Sequence, residues 1–160
     1  MIQHHLATAD HYDFRLEIDG VLVSWAVPKG PSLDPKEHRL AVRVDDHELA
    51  HETFEGTTGG RGRGIVQVWD LGTYRNTSHV GARPVDAATG LERGRLSFWL
   101  EGQKLRGGFS LVRTRGYSER ESWLLTKKAD ECADARRRPT RTQNESALTG
   151  RTLDEIEADG

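Results

Sequence analysis

Residues 3–17 read Gln3-His-His-Leu-Ala-Thr-Ala-Asp-His-Tyr-Asp-Phe-Arg-Leu-Glu17. From His11 the run alternates: His11, Asp13, Arg15 and Glu17 fall on one parity, Tyr12, Phe14 and Leu16 on the other. Successive side chains of a β-strand point to opposite faces, so this period predicts a strand with one apolar and one ionisable face. The residues alone leave two readings of the ionisable face. One is the solvated outer face of any half-buried strand. The other is a metal–phosphate site, because imidazole nitrogen and carboxylate oxygen suit a divalent transition ion and a guanidinium suits a phosphate oxyanion. On that reading His5, upstream of His11, joins the set.

The same period continues downstream. Asp19-Gly20 is a hairpin turn into a second strand, Val21 to Val27, which Pro28-Lys29-Gly30-Pro31-Ser32 stops. Residues 33–38 form a polar connection with at most one helical turn, and Arg39 to Val44 is a third strand ending in Asp45-Asp46-His47. Gly56 to Gly64 is glycine-rich and must be a loop; without a terminal Lys-Ser/Thr or a following helix it reads as a hairpin tip, not a phosphate cradle. Ile65 to Asp70 is a strand that resumes through Tyr74 after a kink, residues 75–93 a polar connection, and Gly94–Leu100, Gln103–Arg113 and Ser122–Lys127 three further strands. Strands joined by turns, without alternating helices, predict an all-β, mainly antiparallel fold: a compact, closed or nearly closed barrel of about eight strands over residues 1–129. Trp25, Trp69, Trp99 and Trp123 lie in strands and are expected in its core. Residues 130–160 change composition and read as a polar tail or linker that is solvated, with a possible short helix after Thr152, where Glu155 completes a capping box.

A chain of 160 residues can bury a core as one domain. No apolar run is long enough to span a bilayer, and one cysteine, Cys132, excludes an internal disulfide and suits a reducing cytoplasm, where the chain is expected. The net charge of −2 excludes a uniform polycation, so any nucleic-acid contact must be local. The histidines crowd into the N-terminal third, which points there for chemistry.

The blocks Gln3-x-His5, His11-Tyr-Asp-Phe-Arg-Leu-Glu-x-Asp-Gly20, Ser24-Trp-Ala-Val-Pro-Lys-Gly-Pro-Ser32 and Arg39-Leu-Ala-Val with Asp46-His47 resemble one family in order and spacing. So do Phe54-Glu-Gly56, Val68-Trp-Asp70, Gly102-x-Lys104-Leu105, Leu111-Val-Arg113 and Trp123-Leu-Leu-x-Lys127. The family is the 3′-phosphoesterase domain of bacterial ligase D, the end-processing module of the non-homologous end-joining ligase. The resemblance covers about residues 2–130. It implies a barrel with a crescent-shaped groove and a Mn²⁺-dependent activity, with Co²⁺ or Zn²⁺ as other candidate ions. That activity removes a 3′-terminal ribonucleoside, then the remaining 3′-phosphate, from DNA or DNA/RNA primer–template ends. It further implies His5, His11 and Asp13 as metal ligands, Arg15 and His47 as groups on the scissile phosphate, and Gln3, Lys29 and Arg39 as supporting active-site residues. His47 would serve as general acid or oxyanion donor. A ligase, a polymerase and Ku of end joining are the implied protein partners, and a monomer is expected.

Glu17 is left between orienting a ligand histidine and a cross-strand ion pair, and His4 is expected to be exposed. Four departures from the family matter. The family carries a longer segment before Gln-x-His, so its contribution is expected to be missing. His51 stands where a tyrosine is usual and is expected on the phosphate, which puts the monoesterase step in question. The loop 57–64 is glycine- and arginine-rich instead of Ile-Pro-x-Gly-x-Tyr-Gly. No ligase or polymerase domain is present in these residues, so a stand-alone or excised module is expected. The competing expectations are a non-catalytic DNA-end-binding or ligase-docking module, and a phosphoesterase for RNA ends or cyclic phosphates.

Overall fold

Asp19 and Gly20 both take positive φ, 51° and 83°, and join Ile18 to Val21 by the tight turn that the Asp-Gly pair favours. This hairpin seeds the sheet. The computed structural model describes residues 1–7, 9–50, 54–58, 64–115 and 120–159. The elements are β1 (Ile2–Leu6), β2 (Asp10–Ile18), β3 (Val21–Val27), β4 (Arg39–His47), β5 (Gly56–Thr58), β6 (Gly64–Asp70) and β7 (Gly72–Asn76). They continue with β8 (His79–Val80), β9 (Arg83–Pro84), α1 (Ala87–Arg93), β10 (Arg95–Gly102), β11 (Arg106–Arg113), β12 (Ser122–Lys127), α2 (Pro139–Thr142) and α3 (Leu153–Asp159).

Ten strands form one antiparallel sheet in the order β5-β6-β1-β2-β3-β4-β12-β11-β10-β7, and β8 and β9 form a separate ribbon. The all-β, antiparallel expectation holds; where a closed or nearly closed barrel of about eight strands is expected, the sheet has ten strands, and among the described residues its edge strands β5 and β7 are not hydrogen-bonded to each other. What replaces closure is chain continuity. β6 lies near one edge, β7 is the other, and only Leu71 separates them. At that seam the Asp70 carboxylate accepts the backbone N–H groups of Leu71, Gln103, Lys104 and Leu105 at 2.8–3.0 Å, tying the β10–β11 turn to the end of β6. A Cβ on Gly72 would lie 2.1 Å from the Glu101 carbonyl oxygen, so only glycine lets β7 start there.

The apolar faces enclose a core with Trp25, Trp69 and Trp123 fully buried, and Trp25 meets Trp123 edge-on at 5.7 Å. Trp99 is the exception to the expectation of four core tryptophans: it is only partly buried, and its indole N–H donates to Glu101 at 2.7 Å. The polar connection 75–93 contains a helix that composition hid. Asp86 caps α1 by accepting from the Thr89 N–H, and Gly94 ends it at φ 79°. Residues 33–38 hold one hydrogen-bonded turn, in which the Glu37 N–H donates to the Asp34 carbonyl at 3.0 Å, and no helix.

The described part of the C-terminal segment is not a solvated tail. Buried Trp69 donates its indole N–H to the Gln143 carbonyl, the Gln67 amide donates to the Asn144 and Arg151 carbonyls at 2.8 Å, and Ala147 N–H donates to Val68 O at 2.8 Å. Ile156 of α3 is buried, and the Lys104 ammonium, itself buried, donates to the Trp69 and Glu145 carbonyls. Buried donors on β6 require acceptors, and backbone carbonyls of this polar segment supply them. Its capping box is present, with Thr152 and Glu155 exchanging side-chain to backbone hydrogen bonds at 3.3 Å. Among the described residues no helix is long and apolar enough to cross a membrane.

Candidate active site

Four adjacent strands bring the predicted residues to one face. The β1–β2 ladder sets Gln3 opposite Asp13 and His5 opposite His11, and the β2–β3 ladder sets Arg15 opposite Ser24. Side chains of directly opposed residues share a face, so Gln3, His5, His11, Asp13, Arg15 and Ser24 converge. His47 joins them through an irregularity. β3 pairs Ser24 with Val44 but Leu22 with His47, so β4 carries one extra residue between those pairs. Without that bulge Asp46 would stand opposite Leu22; with it His47 turns toward Arg15, and Asp46 pairs with Arg43 at 3.0 Å.

At Asp13 and Arg15 the ionisable face of β2 is therefore not solvated, whereas Glu17 near its end is exposed. Asp13 and Arg15 have side chains only 11% and 4% exposed, and Gln3 is fully buried. Buried charges need partners, and each has them. Arg15 donates through Nε to the Gln3 amide oxygen at 3.0 Å and through Nη1 to Ser24 Oγ at 2.7 Å, while Nη2 lies 3.6 Å from Asp13 Oδ2. Gln3 in turn donates to the Phe54 carbonyl at 3.0 Å. His47 Nδ1 is 3.0 Å from Arg15 Nη1 and 2.9 Å from the Asp45 carbonyl. Guanidinium only donates and carbonyl only accepts, so Nδ1 serves one at a time, and the proton's place on this ring follows which one it serves.

His5, His11 and Asp13 each offer a ligand atom, and these atoms lie within 4.8 Å of one another. Asp13 is 3.4 Å from His11 Nε2 and 3.8 Å from His5 Nδ1. Two atoms each bound about 2.1 Å from one ion are at most about 4.2 Å apart, so each His–Asp pair, through its own carboxylate oxygen, is within that limit, and the set as a whole is within 4.8 Å. The donor set, two imidazoles and a carboxylate, suits a divalent transition ion with coordination positions left open. Burial and the neighbouring His11 lower the pKa of His5, which favours the neutral, ligating ring. Burial alone would raise Asp13, but the hydrogen bond with His11 and the charges of Arg15, His11 and His5 outweigh it and hold the carboxyl below its ordinary value. That same hydrogen bond raises His11 against its burial.

Among the described residues, Lys29 and Arg39 make no hydrogen bond or ion pair with this cluster. They line a cleft at the same end of the sheet, with Arg39 2.6 Å from Glu37. His51 and residues 59–63 of the glycine loop lie outside the described residues. Two expectations are corrected in detail. His4 is buried, not exposed, stacked on Tyr12 at 4.3 Å with Asp10 2.5 Å from its Nε2. Glu17 is exposed and makes neither of the expected contacts among the described residues; its carbonyl accepts from the Tyr74 hydroxyl at 2.5 Å. Sequence reasoning missed Ser24, visible only once the ladder register is known, and Gly64. A Cβ on Gly64 would lie 2.8 Å from His5 Nε2, so the first residue of β6 leaves the room that the imidazole occupies.

A family model described as the DNA ligase D 3′-phosphoesterase domain matches residues 3–113. The multifunctional non-homologous end joining protein LigD of Pseudomonas aeruginosa is 45% identical over 156 residues, 95% of this chain and 18% of that protein. The multifunctional non-homologous end joining DNA repair protein LigD of Mycobacterium tuberculosis is 41% identical over 126 residues, 78% of this chain and 15% of that protein. The LigD of Mycolicibacterium smegmatis is 36% identical over 133 residues, 82% of this chain and 17% of that protein. The chain thus spans less than a fifth of the length of these relatives. It belongs to the DNA ligase D 3′-phosphoesterase domain family.

Proposed function

We propose that the protein is a metal-dependent 3′-end-healing phosphoesterase that acts on DNA or DNA/RNA primer–template ends in end joining, with Mn²⁺ as its ion. The observation that carries this reading is the gathering of His5, His11 and Asp13 within 4.8 Å of one another, with the buried Arg15 guanidinium 3.6 Å from Asp13. The ion, when bound, would polarise a phosphate oxygen and a water. Arg15, held by Gln3 and Ser24, presents a fixed positive group to a phosphate oxygen as charge builds on it. Each step replaces a P–O bond to the leaving oxygen by one to water, and the leaving oxygen takes up a proton. His47, beside Arg15, supplies that proton or bonds the oxyanion. Lys29 and Arg39 serve the rest of the strand from the adjoining cleft, and His51 in place of tyrosine bears on the monoesterase step.

The test is a primer–template ending in one ribonucleotide, incubated with Mn²⁺ and with EDTA. Metal-dependent shortening to a 3′-phosphate, then to a 3′-hydroxyl, is expected, and His11→Ala should abolish it. A folded protein that binds ends with no turnover above the His11→Ala control would overturn the reading in favour of a non-catalytic end-binding or ligase-docking module. A panel of 2′-, 3′- and cyclic-phosphate ends separates primer ends from RNA ends.

A further inference from the structure

The C-terminal segment brings three arginines to a place that the active-site reading does not account for. A cleft of about 310 Å³ lies between the β3–β4 connection and residues 135–141, lined by Lys29, Arg39, Arg137, Arg138 and Arg141 with a single acid, Glu37. Glu37 is already engaged, 2.6 Å from Arg39 and 3.5 Å from Arg138. Lys29 and Arg141 are exposed and pair with no acidic side chain among the described residues, and Arg39 Nε is buried without a hydrogen-bond partner. In a chain of net charge −2, this leaves a surplus of four positive charges in one cleft. Such a concentration marks an anion site.

The cleft touches Tyr12, which lies between the candidate ligands His11 and Asp13 in sequence but turns its ring to the opposite, core face of β2. Its hydroxyl is 3.4 Å from the Thr140 carbonyl. Gly30 is wedged between the two: a Cβ there would lie 2.8 Å from the Tyr12 ring and 2.9 Å from the Thr140 methyl, and its φ is +74°. The ladder agrees, since Tyr12 opposes Val27, so Lys29 projects beyond β3 at the end of the sheet where β2 begins. Two or three donors satisfy a lone phosphate. Five cations in one cleft at the end of the sheet where β2 begins match a run of phosphates.

We infer that this cleft, built by Lys29, Arg39, Arg137, Arg138 and Arg141, binds the phosphodiester backbone of the nucleic-acid strand that leads to the reacting 3′ end. The inference rests on the phosphoesterase reading for its substrate class and extends it by a strand-binding subsite supplied by the C-terminal segment. Binding of a labelled single strand with a 3′-phosphate, followed by anisotropy in EDTA across a salt series, tests it without turnover. Each phosphate contact on a single strand contributes about 0.7 to the slope of log affinity against log salt. Arg138→Ala/Arg141→Ala should therefore flatten the slope by about 1.4, so that between about 50 and 200 mM salt the variant loses roughly sevenfold less affinity than the parent. Arg138→Lys/Arg141→Lys should restore the slope. Arg83→Ala/Arg95→Ala, at exposed arginines near α1, should leave it unchanged. With Mn²⁺, the alanine pair should raise KM for a long strand and hold kcat.

An unchanged slope in a folded Arg138→Ala/Arg141→Ala protein, or equal flattening by the Arg83/Arg95 pair, would overturn the inference. So would inorganic phosphate occupying the cleft, seen as quenched strand-independent shifts of these arginines, with no change in strand affinity. Strand binding through the cleft in a protein that never turns over would sink the phosphoesterase reading and leave this one standing.

Discussion

In the metal corner every charge is buried against another: Asp13 faces His5, His11 and Arg15, and Arg15 is gripped by Gln3 and Ser24. In the basic cleft, Lys29 and Arg141 are exposed, and Arg138 meets Glu37 only at 3.5 Å. The first arrangement fixes positions in a low-dielectric setting, where a misplaced group costs much. The second supplies charge in water, where salt screens it and exact placement matters little. On the proposed function, the difference separates two tasks, bond-breaking geometry and strand capture, at one end of one sheet.

The contrast breaks most sharply at Arg15. Arg15→Ala leaves Asp13 buried without its guanidinium partner and should cost about 3–5 kcal/mol of stability. It should also lower kcat on a ribonucleotide-terminated primer by about 10²–10³-fold. Urea unfolding and steady-state kinetics measure both, and a variant of parental stability and rate would show that the corner is not preorganised. A smaller effect belongs to Ser24→Ala, which strips one bond from the guanidinium and should cost about 1–3 kcal/mol with strand affinity unchanged. Smaller again is Gly30→Ala, the joint between the two regions. Its positive φ and its contacts with Tyr12 and Thr140 predict a loss of more than about 1 kcal/mol and a raised KM for long strands, with Mn²⁺ affinity retained.

The smallest expected effect concerns the latch that holds the C-terminal segment. Glu55 is bridged to Arg151 at 3.1 Å and bonded by Thr149 and the Val68 N–H. Burial raises its pKa, but hydrogen bonds from Ser146, Thr149, Val68 and Arg151 outweigh it, and the net shift is downward. A carboxyl lowered on folding contributes stability above its unfolded value near about 4.3, and loses it as pH falls through the folded value. Glu55→Gln should therefore be less stable than the parent at neutral pH, with the gap closing in acid. A gap that persists unchanged to low pH would contradict the sign.

Much of the frame was legible because β-strands print their period directly: His11 to Ile18 alternates, and Asp19-Gly20 announces its turn. That His11 and Asp13 share a face was legible for the same reason, since residues two apart point the same way, and the resemblance named them, with His5, as candidate ligands. What sequence hid depends on contacts across the chain. His47 reaches the site only through a bulge that no local pattern marks, and α1 lies in a polar stretch whose signals are one cap at each end. The open seam depends on Asp70 holding a turn more than thirty residues away. The arginines of 136–141 are exposed, as their composition suggested, but composition does not show that the residues after them are fastened by Trp69 and Gln67, which lie on a distant strand.

The central claim is that His5, His11 and Asp13 hold one divalent ion. Titration of the full chain with Mn²⁺, followed by the loss of the free-ion signal in electron paramagnetic resonance, tests it most directly. One tightly held ion per chain is predicted, with affinity falling by more than about 100-fold in Asp13→Asn, since removing a ligand must cost more than the 10–100-fold seen for groups that only support one. Equal Mn²⁺ binding by the parent and a folded Asp13→Asn protein would contradict the account.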